Sequence, residues 1–120
     1  MSGKRPKRRR LEDQATQAAL RSLTEGLCAR YGARAPELLV YGSYARGEAT
    51  LDSDLDVVLV YDRPVSSSHE VARLADLLAD LSLQHSVLIS VMPVSAEDYR
   101  RAEGPYWRNV RREGVPVDTR

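Results

Sequence analysis

Phenylalanine is missing from this 120-residue chain, which also has one cysteine, two histidines and one tryptophan. One cysteine excludes an internal disulfide and makes a cysteine-based zinc site untenable. No apolar run is long enough to cross a bilayer, and the charged N-terminus is not followed by an apolar signal core. The chain is therefore expected in the cytoplasm, with no membrane partner. A Walker-type phosphate loop, a dinucleotide fingerprint, a histidine cluster and an internal repeat are all lacking. With aromatic residues at 6%, Leu, Val and Ala must fill the interior, and Cys28, inside an apolar helical stretch, is expected to be buried.

What is present describes one domain. Hydrophobic residues at 42% and charged residues at 29% are ordinary for a globular protein, and a chain of this size buries roughly two-thirds of its unfolded surface. The net charge of +1 hides an asymmetry. Residues 1–10 carry Lys4, Arg5, Lys7, Arg8, Arg9 and Arg10 with no acid; removing these six from 18 basic residues leaves 12 against 17 acids, a net of −5 for the remainder. Residues 1–10 are expected to be a disordered basic arm, and residues 11–120 a single folded domain. Such an arm can contact nucleic acid through phosphates without sequence preference, although a plain solvated tail explains it as well.

Periodicity supplies the elements. Leu20, Leu23, Leu27 and Tyr31 predict an amphipathic helix over 11–31, ended by Gly32 and Pro36. A first strand is expected over 37–41, then a break at Gly42-Ser43 with Ser43 capping a brief helix through Arg46. The β-branched run 54–61 predicts the central strand. A helix over 69–84 presents Val71, Leu74, Ala75, Leu78 and Leu81 on one face, and 86–94 predicts a third strand. Ser95 is placed to cap a short helix, and Pro105 to start a last one that ends before Gly114. The fold class is α/β (α+β): a small mixed sheet of about three strands covered by helices.

The informative stretch is Gly42-Ser43, ten residues, then Asp54-Leu55-Asp56. Gly42 lets backbone amides approach an anion, Ser43 adds a hydroxyl, and the helix start adds positive dipole. Asp54 and Asp56, two apart on a strand, are expected to share a face with their charges ~6–7 Å apart. At an effective dielectric near 20 that repulsion is about 2–3 kcal/mol, and a hard divalent cation reverses its sign. Arg46 is placed either to reach phosphate or to pair with Glu48. Ser53 precedes the acidic pair.

These residues resemble the signature of the DNA polymerase β-like nucleotidyltransferases, and the short chain is similar to the minimal nucleotidyltransferases (MNT). The resemblance implies that fold, triphosphate binding by Gly42 and Ser43 (with Arg46 and Ser53 beside them), and Mg2+ or Mn2+ binding by Asp54 and Asp56, with ATP as substrate. It further implies an antitoxin of a HEPN/MNT pair, transferring AMP to a tyrosine of the HEPN ribonuclease toxin. The larger antibiotic-modifying relatives carry a second helical domain; none is expected in these 120 residues, so that activity is not expected.

One departure stands out. The superfamily usually has a third carboxylate on the next strand, and Ser86-Val87-Leu88-Ile89-Ser90-Val91 holds none; Ser86 and Ser90 are expected to share the face where it would sit. Contact-only neutralisation of the partner is therefore the rival to catalysis. His85 reads as structural rather than as a substitute base. Tyr106, Trp107 and Val110 read as packing residues, with Arg108, Arg111 and Arg112 either solvated or aimed at phosphate or an acidic partner surface.

Overall fold

A computed structural model describes residues 8–117. Helix α1 spans Gln14–Tyr31 and buries Thr16, Ala19, Leu20, Leu23 and Leu27. It starts three residues later than the apolar pattern suggests, because the Asp13 carboxylate accepts from the Arg10 N–H at 2.9 Å and turns the chain there. A 3-10 turn, Gly32–Arg34, leads to β1 (Glu37–Tyr41), then α2 (Ser43–Arg46) and β2 (Leu55–Tyr61). Helix α3 (Ser67–His85) is capped by Ser66, whose hydroxyl accepts from the His69 N–H. Strand β3 (Ile89–Ser95) follows, then α4 (Ala96–Arg101), α5 (Pro105–Glu113) and a two-residue β4 (Val115–Pro116).

Among the described residues the sheet has four strands in the order β3-β2-β1-β4. Helix α3 carries the chain from β2 to β3 and makes that pair parallel, while β1 runs antiparallel to both β2 and β4. The two-residue β4 escapes sequence reading because it has no period; it forms by pairing Val115 with Val40.

Alternation along β2 divides the sheet's two faces. Leu55, Val57, Leu59 and Tyr61 lie in the larger core with Leu38, Val40 and Ile89, packed against α1 and α3. Val58 and Val94 meet Val110 of α5 on the opposite face, flanked by Leu39, Tyr41, Met92, Tyr99 and Trp107. Helices α4 and α5 thus cover part of that face. Asp56 shares it, half-buried, and its partner across β3, Ser90, is exposed.

Several sequence expectations shift by a turn or a face. Cys28 is exposed, because the buried stripe of α1 passes through Leu23 and Leu27 and leaves position 28 on the outer side. On α3 the inward residues are Glu70, Leu74 and Leu81 with Leu77 and Leu78 partly buried, so Val71 and Ala75 face out. Ser86 belongs to no strand: it ends α3 in a left-handed conformation (φ 53), and β3 begins only at Ile89. Ser95 does cap α4, accepting from the Asp98 N–H at 3.0 Å.

Glu70 draws the far end of the sheet together. It is 5% exposed, accepts from the Tyr31 hydroxyl at 2.6 Å and pairs with Arg73 at 3.3 Å. Arg63 lies 5.2 Å from both the Tyr31 and Tyr61 ring centroids. His85 shares a hydrogen bond with Ser22 at 3.0 Å, joining α3 to α1. That contact keeps His85 with the helices α1 and α3, on the face of the sheet opposite the one that Asp56 shares.

The basic segment does not stand apart from the fold at its C-terminal end. Arg8 forms an antiparallel bridge with Thr50, the Arg9 N–H donates to the Ala49 carbonyl at 2.9 Å, and the Arg10 N–H is held by Asp13. The expected free arm is thus corrected at these three residues. Residues 1–7 lie outside the described residues.

Candidate active site

The site assembles where β1 turns into α2. Tyr41, the last residue of β1, pairs with Asp56 across the strands, so Gly42 arrives directly against the acidic end of β2. Gly42 adopts φ 73, ψ −149, a conformation open essentially to glycine alone. The approach is close. A Cβ on Gly42 would lie 2.8 Å from Oδ2 of Asp56. The two halves of the motif therefore touch, although thirteen residues, 43–55, separate Gly42 from Asp56 in sequence.

Ser43 is the first residue of α2 rather than its cap; Gly42 holds the cap position and no side chain caps the helix. The turn closes through backbone bonds, from the Arg46 N–H to the Gly42 carbonyl (3.1 Å) and from the Glu48 N–H to the Ser43 carbonyl (2.9 Å). Asp54 lies just outside β2 and is exposed, so only Asp56 is held by the strand. Burial raises the pKa of Asp56, the Asp54 charge raises it further, and Arg46 opposes both. A divalent cation removes the repulsive part of that balance.

Arg46 takes the ion-pair alternative. Its guanidinium donates to Glu48 at 2.7 Å and to Glu113 of α5 at 3.3 Å. Those two hydrogen bonds hold its pKa above the usual arginine value. It is nonetheless an exposed, long side chain, and its charge still acts on Asp56. Ser53 braces the loop: its hydroxyl accepts from the Thr50 N–H at 2.9 Å.

Sequence reasoning missed two walls of the site. Tyr41 and Tyr106 share a hydroxyl–hydroxyl hydrogen bond of 2.7 Å, with ring centroids 5.7 Å apart. Burial pushes the Tyr41 phenol up, and its bond to Tyr106 and the Asp56 charge add to the shift. Glu113 was also unmarked as an Arg46 partner. No local pattern could reveal these, since α5 reaches the site only through tertiary packing; position 41, the end of a strand abutting the glycine turn, was the one available signal. Val110 and Trp107 pack as expected, and Arg111 donates to the carbonyls of Tyr99 and Ala102 at 2.9 and 2.7 Å.

The donor chemistry suits one hard cation. Asp54 and Asp56 offer carboxylate oxygens beside an anion-accepting turn, the usual company of a magnesium–nucleotide. Among the described residues no group of three His, Cys, Asp or Glu side chains could hold a metal. Ser90, one of the two serines expected to mark the place of a third carboxylate, stands level with Asp56 on β3.

Residues 20–110 match the family model described as a nucleotidyltransferase domain, and the chain belongs to that family. A Methanocaldococcus jannaschii protein named "Putative protein adenylyltransferase" is 31% identical over 97 residues, covering 80% of this chain and 91% of that protein. A solved structure described as a "putative minimal nucleotidyltransferase" is 32% identical, covers 88% of this chain and 96% of its own, and superposes with a TM-score of 0.53. A toxin–antitoxin structure with AMP-PNP shares the fold at 16% identity, with a TM-score of 0.55, covering 83% of this chain and 70% of that one. The protein is a nucleotidyltransferase with the mixed α/β fold of its relatives.

Proposed function

We propose that this nucleotidyltransferase moves AMP from magnesium-bound ATP to a tyrosine hydroxyl of a HEPN ribonuclease toxin, and so serves as a cytoplasmic antitoxin. The observation that carries the reading is the contact of the Gly42 turn with the Asp56 carboxylate. Asp54 and Asp56 are assigned to the metal, with Mn2+ as an alternative to Mg2+. Gly42 and Ser43 receive the triphosphate, with Arg46 and Ser53 at its margin. Bound there, the cation neutralises phosphate charge and polarises the phosphorus under attack.

The chain's own residues do the rest. Gly42 allows backbone amides to approach the phosphates, and Ser43 donates its hydroxyl. Arg46, on release from Glu48, supplies a fixed positive charge. The named function of the Methanocaldococcus relative supports adenylyl transfer to protein, and the toxin–antitoxin neighbour with AMP-PNP supports both nucleotide and partner. Residues 11–120 are assigned to a single catalytic domain. Incubating the protein with labelled ATP, Mg2+ and the partner tests this: label on the partner from wild type but not from Asp54→Asn is expected. Equal labelling, or none from either, would remove the proposal.

A second reading has one observation in its favour. Ser90 in place of an acid removes a group that would activate the attacking hydroxyl, a loss of about 10²- to 10⁴-fold where a general base is deleted. On that reading the chain neutralises its partner by contact. Asp54→Asn and Asp56→Asn proteins would then protect cells from the toxin as well as wild type does; loss of protection with binding retained excludes it.

A further inference from the structure

The six tyrosines of this chain are placed very unequally. Tyr44 and Tyr61 are buried in the core, and Tyr31 is bonded to Glu70 where α1 meets α3. Tyr99 is half-buried edge-to-face against Trp107, and Tyr41 is half-buried at the end of β1. Of the six, Tyr106 is the exposed one, at 40%.

Its position is set by the fold. Gly104 turns the chain at φ 103 and Pro105 starts α5, so Tyr106 lies in the first turn of that helix. Farther along, Val110 is buried against Val58 and Val94, and Arg111 bonds the carbonyls of Tyr99 and Ala102. The Tyr106 ring packs edge-to-face on Trp107 and on Tyr41, with centroids 4.9 and 5.7 Å apart. Its hydroxyl donates to the Tyr41 hydroxyl at 2.7 Å, in a bond open to solvent. Tyr41 immediately precedes Gly42 and is the cross-strand partner of Asp56. Burial raises the Tyr106 pKa, the bond to Tyr41 draws it back, and the Asp56 charge raises it again, so that carboxylate acts on this phenol. A solvent-facing phenol is thus bonded to the residue that leads into the glycine turn.

We propose that Tyr106 is a self-acceptor: without a partner, the enzyme transfers AMP from ATP to this hydroxyl of its own chain. The inference rests on the assignment of Gly42, Ser43, Asp54 and Asp56 to the metal–nucleotide and names a second acceptor for that site. The phenolic oxygen attacks the α-phosphorus; the new P–O bond forms as the bond to pyrophosphate breaks, and the phenolic proton goes to solvent. A phenol is the acceptor chemistry already assigned to the site, and one tethered beside it acts at an effective concentration well above that of a free partner. Ser90, exposed and level with Asp56, is the rival hydroxyl on β3. An aliphatic alcohol gives up its proton far less readily than a phenol, whose ordinary pKa is about 10. Once modified, the Tyr106 oxygen has no proton to give Tyr41, and the hydroxyl pair opens.

The test uses the full chain with Mg-ATP and no partner, followed by intact-mass analysis and tandem mass spectrometry of its peptides. Wild type should gain the mass of AMP on Tyr106, at a rate constant that stays the same as the protein is diluted, because donor site and acceptor share one chain. Asp54→Asn should lose the gain. Tyr106→Phe, which keeps the ring and its packing, should lose it without its moving to another residue; thermal melts check that both variants are folded, and the wild-type peptide map decides by itself if either is not. AMP on Ser90 or elsewhere in place of Tyr106, a rate constant that rises with protein concentration, or undiminished transfer in Asp54→Asn would overturn the proposal. A parallel reaction containing the partner separates the two assignments. Label on the partner with none on Tyr106 in either reaction overturns self-transfer alone. AMP on Tyr106 with none on the partner upholds self-transfer and removes the assigned partner, and label on neither overturns both.

Discussion

Replacing Gly42 by alanine probes the site through backbone alone. Two effects add. At φ 73, ψ −149 a Cβ is strained, which costs about 1–3 kcal/mol where such conformations are forced. The added Cβ also begins 2.8 Å from Asp56 Oδ2, so the carboxylate must retreat by roughly half an ångström to reach ordinary van der Waals separation. In stability terms a domain of this size should lose about 5–15 °C of melting temperature. In activity, a catalytic group displaced by a fraction of an ångström to one ångström loses roughly 10- to 100-fold. Gly47 is the matched control. Its φ is also 73, its ψ of 22 lies in the left-handed region that other residues can enter, and a Cβ there meets nothing within 4 Å. Differential scanning calorimetry and AMP transfer, measured on both variants, separate strain from collision. Gly47→Ala should cost about 1 kcal/mol or less and keep its transfer rate. If Gly42→Ala were as active as Gly47→Ala, the contact between turn and carboxylate would not be what forms the site.

Three further outcomes follow from the electrostatics. Burial and Asp54 raise the pKa of Asp56, so the wild type loses stability as pH rises through that raised value. Asp56→Asn should therefore melt above wild type at pH 7 without metal, and the advantage should vanish below the ordinary carboxylate value of about 3.9. Added Mg2+ should raise the melting temperature of wild type only. Arg46→Ala should raise the KM for ATP by roughly 10-fold with little change in kcat, if a charge-assisted phosphate contact replaces the pairs with Glu48 and Glu113; an unchanged KM would confine Arg46 to those pairs. Burial pulls the Glu70 pKa up, but the Tyr31 hydroxyl and Arg73 outweigh it and leave it lowered. Its stabilisation is then complete above the usual value of about 4.3 and lost as pH falls through the lowered one. Glu70→Gln should cost about 1–3 kcal/mol at pH 7 and flatten that acid limb in thermal melts.

Much of this protein was legible in its residues because the signals were local. The β-branched run of β2 and the apolar stretch of β1 needed no partner to be recognised. Pro105 and Gly114 marked α5, and Ser95 marked α4. Gly42 and Asp56 were joined across the sequence by a superfamily pattern, and Gly42's conformation explains why that pattern requires a glycine. What failed was whatever depended on packing. Val71 and Ala75 fit the helical period of α3, yet the stripe that meets α1 runs one position earlier, through Glu70 and Leu74. Cys28 fell just off the buried stripe of α1 for the same reason. Tyr41, Tyr106 and Glu113 carry no motif, and they border the site because α5 folds back over β1 and β2. The basic segment read as solvated, since six positive charges offer nothing to bury; backbone pairing with Thr50 and Ala49, which composition does not encode, anchors Arg8 and Arg9, and the Asp13 carboxylate holds the Arg10 N–H.

Calorimetric titration of ATP into the metal-stripped protein, with and without Mg2+, addresses the central claim most directly. Binding should require Mg2+ in wild type, and both Asp54→Asn and Asp56→Asn should abolish the metal-dependent component. ATP binding that is indifferent to Mg2+, or equal in wild type and the two variants, would mean that the glycine turn and the two aspartates do not hold a metal–triphosphate between them.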